Sequence, residues 1–116
     1  MLNDKLKILC KKAFLLLGYN NQIYIAIEEM SEATKELTKY LRGKGRKEKL
    51  CEELAHAKFM IEQMTILYDV EYEVEEEYKK AIDRLISLFA EKVSPSKTEL
   101  ETELEYIELS KLFYRN

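Results

Sequence analysis

Glycine and proline are nearly absent from this chain, with three glycines and one proline in 116 residues. A β-rich domain needs turn residues at short intervals, so their scarcity argues against one and favours a few long helices. Cysteine is sparse too. Cys10 and Cys51 both fall in helical patterns, and two cysteines without a secretory segment read as reduced, packed thiols of a cytoplasmic protein. The apolar stretch around Phe14 to Leu17 is too short to span a membrane. The N-terminal residues show neither the apolar core nor the small-residue cleavage site of a signal peptide. An excess of positive charge is also missing: 19 lysines and arginines face 22 acidic residues, for a net charge of −3. Without a basic field, nucleic acid is disfavoured as a partner. Catalytic serine arrangements and phosphate loops are not visible, because RGKGRK at 42–47 lacks the spacing and the trailing Ser or Thr of a P-loop.

What remains is a chain that is 47% hydrophobic and 35% charged, which describes a globular domain rather than a disordered one. Apolar periodicity predicts helices near residues 4–17, 22–41, 48–69 and 71–93, with a last one ending near Phe113. Gly18 is a natural C-cap for the first and Asn20 or Asn21 an N-cap for the second. Arg42 to Lys47 must be a loop. Ser94-Pro95-Ser96 breaks the fourth helix, and Ser96 with Glu99 forms a capping box for the fifth, whose apolar stripe is Leu100, Leu104, Ile107 and Leu112. The expected fold is therefore all-α, an antiparallel bundle of four to five helices. Residues 1–93 form the helical domain and 94–116 a C-terminal helical extension of it. A core this modest is often completed by another copy of the chain, so a homodimer or homotetramer is expected.

Two helices carry chemistry. On a helical wheel at about 100° per residue, Ile23, Ile27, Met30, Thr34, Leu37 and Leu41 form the apolar stripe of the second helix. Ile25, Glu29, Glu32 and Glu36 line the opposite side. Like charges at helical spacing repel, so this row is either a solvated acidic face or a cation site. In the third helix the apolar arc is Leu50, Leu54, Ala57, Met60, Ile61, Met64, Leu67 and Tyr68. Glu53 lands inside this arc and His56, the one histidine, at its edge. A core-facing carboxylate costs several kcal/mol unless paired or bound to metal. His56 alone would read as a hydrogen-bonded core histidine. Glu53 is the residue that asks for a cation. Clusters of hard oxygen ligands suit Mg²⁺ carrying water and substrate phosphates.

The stretches IAIEEMSEATKEL and EELAHAKFMIEQM resemble the MazG-like, all-α nucleoside triphosphate pyrophosphohydrolases, which carry EExxE, a variable spacer and ExxD. The resemblance covers roughly residues 18 to 90. EExxE is Glu28-Glu29-Met30-Ser31-Glu32, and the second motif begins at Glu53. It implies an enzyme that hydrolyses a nucleoside triphosphate to monophosphate and pyrophosphate. Glu29, Glu32 and Glu53 would be Mg²⁺ ligands and Glu28 a supporting carboxylate. His56 stands where the family has Asp. Imidazole suits Mn²⁺, Fe²⁺, Ni²⁺ or Zn²⁺ better than Mg²⁺, so Mn²⁺ becomes an alternative cofactor and activity is open to impairment. Arg42, Lys44, Arg46 and Lys47 are candidates for phosphate binding, and Tyr24 or Tyr68 for stacking on a base.

A second expectation is an inactive MazG-like protein that sequesters a nucleotide or acts on a protein partner, for example a phage-encoded inhibitor of a host system. A third is a di-iron site, since Glu53-Leu54-Ala55-His56 matches the Glu-x-x-His of ferritin-like bundles. With one histidine per chain, only a symmetric dimer could complete that site.

Overall fold

The computed structural model describes residues 3–93 and 99–114, and every element in them is helical. The order is α1 (Asp4–Leu17), α2 (Tyr19–Leu41), α3 (Lys47–Leu67), α4 (Glu71–Val93) and α5 (Glu99–Tyr114). The fold is all-α, a helical bundle, as the scarcity of turn residues predicts. Among the described residues no helix is long and apolar enough to cross a membrane. The Ser94-Pro95-Ser96 break and the Ser96 capping box lie outside the described residues.

The helix ends follow from local chemistry. Asn3 caps α1, its side chain accepting from the backbone N–H groups of Lys5 and Leu6. Gly18, at φ 93°, ends α1 by donating its N–H to Phe14 O, and it is also the N-cap residue of α2. The expected asparagine cap is therefore corrected: α2 starts at Tyr19, and Asn21 sits inside it, its side-chain amide reaching back to Leu17 O. With the turn made by one glycine, α2 gains its first helical turn earlier than an Asn cap would allow. At the other end of α2, the N–H groups of Gly43 and Lys44 donate to Tyr40 O and Lys39 O. This is the Schellman pattern, with Gly43 at φ 73° in the left-handed position. The same pattern closes α3, where Asp69 at φ 54° takes the glycine's place and Val70 N–H donates to Thr65 O.

The chain forms two compact units, residues 1–71 and 72–116. This division precedes the break at 94–98 where the sequence places the C-terminal extension. In the first unit, α2 and α3 form a helical hairpin across the 42–46 loop, and α1 packs on both. The core of this unit is small: Cys10 and Phe14 of α1 with Ile66 of α3, joined by half-buried Leu6, Met64 and Leu67. Phe14 also stacks on Tyr19, ring centroids 5.9 Å apart. In the second unit Ile86 and Ala90 are buried.

The apolar stripe expected to bury α2 faces solvent instead. Ile27, Met30, Leu37 and Leu41 are exposed, whereas Gln22, Ala26, Ala33 and Glu36 are buried. On α3, likewise, Leu54, Ile61 and Tyr68 of the expected arc are exposed, and Glu53, Met60, Gln63, Thr65 and Ile66 are buried. The α5 stripe of Leu100, Leu104 and Ile107 with Leu112 is exposed as well. The physical reason on α2 is size. Ala26 and Ala33 let the α3 backbone approach closely, and the bulkier aliphatic side chains would hold it away.

Candidate metal centre

Glu29 of α2 projects from the same face as Ala26, Ala33 and Glu36, the face that α3 covers. From α3, Glu53 and His56 lie one turn apart and meet it. His56 Nδ1 lies 3.1 Å from Glu29 Oε2 and 3.9 Å from Glu53 Oε2. One donor atom from each of the three residues lies within 4.8 Å of the others. The structure thus brings together Glu29, Glu53 and His56. Glu32 and Glu28 are exposed on α2 and stand outside this group.

The two oxygens of Glu53 are treated differently. Its side chain is 6% exposed, and Oε1 accepts from Lys49 Nζ at 3.0 Å. Oε2 is buried and has no hydrogen-bond partner. A buried carboxylate oxygen left without a donor forfeits more than a neutral group would, of order 1–3 kcal/mol or above. That orphaned oxygen is the one turned toward His56. In the Nδ1–H tautomer the imidazole donates to Glu29 Oε2. Without that proton, the nitrogen joins two carboxylate oxygens as a third donor.

This donor set fits a divalent cation. Two ligands at right angles, each about 2.1 Å from an ion, are roughly 3.0 Å apart, close to the 3.1 Å between His56 Nδ1 and Glu29 Oε2. Two carboxylates with one imidazole suit Mn²⁺, Fe²⁺ or Zn²⁺ better than Mg²⁺. The site is open on one side, since the His56 side chain is 49% exposed and that of Glu29 30%.

Sequence reasoning missed one neighbour, Lys49, and named a second, Glu36, only as part of the acidic row on α2. Lys49 contacts both Glu53 and Glu52, and the hydrogen bond to Glu53 holds its ammonium above the usual lysine range, with the charges of Glu52, Glu53 and Glu36 adding to it. Glu36 is buried, with Lys39 Nζ 3.5 Å away. Both were signalled by helical spacing: Lys49 lies one turn before Glu53, and Glu36 two turns after Glu29. Arg42, Lys44 and Arg46 of the loop and Lys47, which opens α3 rather than belonging to the loop as expected, are exposed. Lys47 precedes Glu53 by six residues, about 9 Å along the axis. Tyr24 and Tyr68 are exposed on α2 and just past α3.

No protein-family model matches the chain, and neither a curated protein nor a solved structure does.

Proposed function

We propose that the chain is a MazG-like, divalent-metal-dependent nucleoside triphosphate pyrophosphohydrolase of the cytoplasm, with Glu29, Glu53 and His56 as its metal-holding residues. The observation that carries this reading is Glu53 Oε2, a buried carboxylate oxygen without a partner beside a second carboxylate and an imidazole. Bound there, the ion would supply Lewis-acid polarisation of a phosphoryl oxygen. The chain's own residues prepare the place. Lys49 fixes the Glu53 carboxylate through Oε1 and leaves Oε2 free to bind. Glu29 sets the orientation of the His56 ring. The exposed flank of His56 leaves room for a triphosphate, and the cations of the 42–46 loop with Lys47 at the start of α3 supply charge for its distal end.

A second reading is favoured by Lys49 itself. Its ammonium already balances Glu53, and Glu32, which the resemblance makes a ligand, stands apart. On that reading the chain binds a nucleotide, or a protein partner, without hydrolysis.

Pyrophosphate release from a panel of nucleoside triphosphates separates the two, with Mg²⁺ and then Mn²⁺, on the native protein, His56→Asp and Glu53→Ala. Activity in the native protein that Glu53→Ala abolishes supports the enzyme. Activity confined to His56→Asp supports the binding reading. Silence in all three sinks the pyrophosphohydrolase reading for those substrates.

A further inference from the structure

The contact between His56 and Glu29 sets the register of the α2–α3 hairpin. In an antiparallel helix pair, two turns forward on one helix meet two turns back on the other. Two turns after Glu29 comes Glu36, and two turns before His56 comes Lys49. Lys49 therefore stands at the level of Glu36, as His56 stands at the level of Glu29. The electrostatics agree. The hydrogen bond to Glu53, and then the charges of Glu52, Glu53 and Glu36, hold the Lys49 ammonium above the usual lysine range. The hairpin thus carries two inward carboxylates on α2, one met by an imidazole and the other by an ammonium.

Glu53 lies between these two levels and serves both. Its Oε1 accepts from Lys49 Nζ at 3.0 Å, while its Oε2 lies 3.9 Å from His56 Nδ1. A carboxylate that gives one oxygen to each of two cations is a common bridge in two-metal sites, where the ions lie about 3.5–4 Å apart. Here one of the two places is already filled. Around Lys49 Nζ stand Glu53 at 3.0 Å and Glu52 at 3.7 Å, with Glu36 at the same level on α2. Glu36 is 4% exposed, and a carboxylate so buried needs a cation near it. Lys39 Nζ, at 3.5 Å, is at the outer limit of a hydrogen bond. Three carboxylates around one ammonium form a cation site whose cation is attached to the chain.

We propose that Lys49 is the fixed second cation of the metal centre: its ammonium holds the place on Glu53 Oε1 that a second divalent ion would take, so the chain binds a single divalent ion, at Glu29, His56 and Glu53 Oε2. A divalent ion arriving at Oε1 would meet the ammonium charge at contact distance and would have to expel it. Lys49 is therefore the residue that determines how many metal ions the site accepts. Its side chain is 38% exposed, so the same ammonium has N–H donors to spare for a bound anion. The inference rests on the metal reading of this site and holds whether or not a nucleotide is hydrolysed there.

Mn²⁺ titrations followed by paramagnetic resonance count the ions without any turnover, with circular dichroism to confirm the helicity of each variant. The native protein is expected to take one Mn²⁺ per chain, with a spectrum free of Mn–Mn coupling. Lys49→Met is expected to take two, coupled to each other. Lys49→Gln removes the charge but keeps a donor for Glu53 Oε1. It is expected to behave as Lys49→Met does, and it decides the matter if the methionine variant fails to fold. Lys49→Arg keeps the charge and is expected to stay at one ion. Adding Glu36→Gln to Lys49→Gln should bring the count back from two to one. A native protein that takes two ions overturns the inference. Charge-free variants that still take only one overturn it as well, and leave the metal reading standing. A native protein and variants that take none overturn the metal reading and this inference with it.

Discussion

Helices α1 and α3 meet across Cys10, Phe14 and Ile66, whereas α2 and α3 meet across Ala26, Ala33, Glu36 and Glu53. The first contact is an ordinary apolar core. The second is the longer contact of the two, and it holds two buried carboxylates. Buried charge is a poor way to stabilise a fold, because removing ions from water costs several kcal/mol each. The difference separates the part of the unit that holds the helices together from the part that keeps reactive groups in place. The largest effect is expected on the apolar side. Phe14→Ala should cost about 3–5 kcal/mol in a denaturant titration, as for a buried aromatic ring, since the ring is 2% exposed and anchors both the core and Tyr19. A cost below about 1 kcal/mol would show that α1 contributes little and that the comparison is wrong.

The carboxylate side should respond with the opposite sign. Glu53→Met fills the same volume and removes the orphaned oxygen. Without metal it should stabilise the protein by about 1–2 kcal/mol. The native protein should gain about 2.7 kcal/mol at a hundredfold excess of Mn²⁺ over its dissociation constant, and Glu53→Met should lose that gain. Thermal melts with and without Mn²⁺ measure both. A destabilised Glu53→Met protein would make the Lys49–Glu53 pair a structural contact and remove the argument for a metal.

Part of this comparison could be read in the sequence. Glu53 stood among apolar neighbours on the wheel and is buried. The five helices followed from apolar periodicity and Gly18 from punctuation, while the loop expected over Arg42 to Lys47 ends one residue earlier, because Lys47 already opens α3. What misled the wheel was α2. Its aliphatic stripe looks like a core face, yet the small face with Ala26 and Ala33 packs inward, because close helix approach selects for small residues. One chain's hydrophobicity cannot distinguish a face buried within the subunit from one left for a neighbour. Glu36 stood in the acidic row read from the sequence, but the same ambiguity left open whether that row faced solvent, and it is buried. Glu32 was grouped with Glu29 by spacing, but a step of three residues moves it about 60° around the helix, enough to face solvent. Gly45 gave no sequence cue at all. Its Cα passes Tyr40 so closely that an added Cβ would lie 2.9 Å from the Tyr40 backbone nitrogen.

A smaller effect tests which donors matter inside the polar contact. His56→Asp exchanges an imidazole for a carboxylate oxygen. It should shift the preference between Mn²⁺ and Mg²⁺ toward Mg²⁺ by roughly tenfold, about 1.4 kcal/mol. Competition titrations followed by Mn²⁺ paramagnetic resonance read this without any turnover. An unchanged preference would mean that the ring is not a ligand and that its contact with Glu29 is the whole of its role.

The smallest effect belongs to the apolar side and concerns an ion pair between α1 and Glu71. Lys7 Nζ lies 2.6 Å from Glu71 Oε2 at the protein surface. The hydrogen bond to Glu71 holds the Lys7 ammonium above its ordinary value of 10.5, partial burial opposes it, and the charges of Glu71, Asp4 and Asp69 add to it. A lysine whose value is raised on folding stabilises the folded state while it is protonated in both states. That contribution is complete below pH 10.5 and fades as the pH rises through the higher folded value. Lys7→Met should therefore lower the melting temperature slightly at neutral pH and converge on the native protein in strongly alkaline solution. Both should be measured at low salt, where a surface pair is least screened. Curves that stay parallel through the alkaline range would assign the effect of Lys7 to its aliphatic stem packing on α1 rather than to its charge.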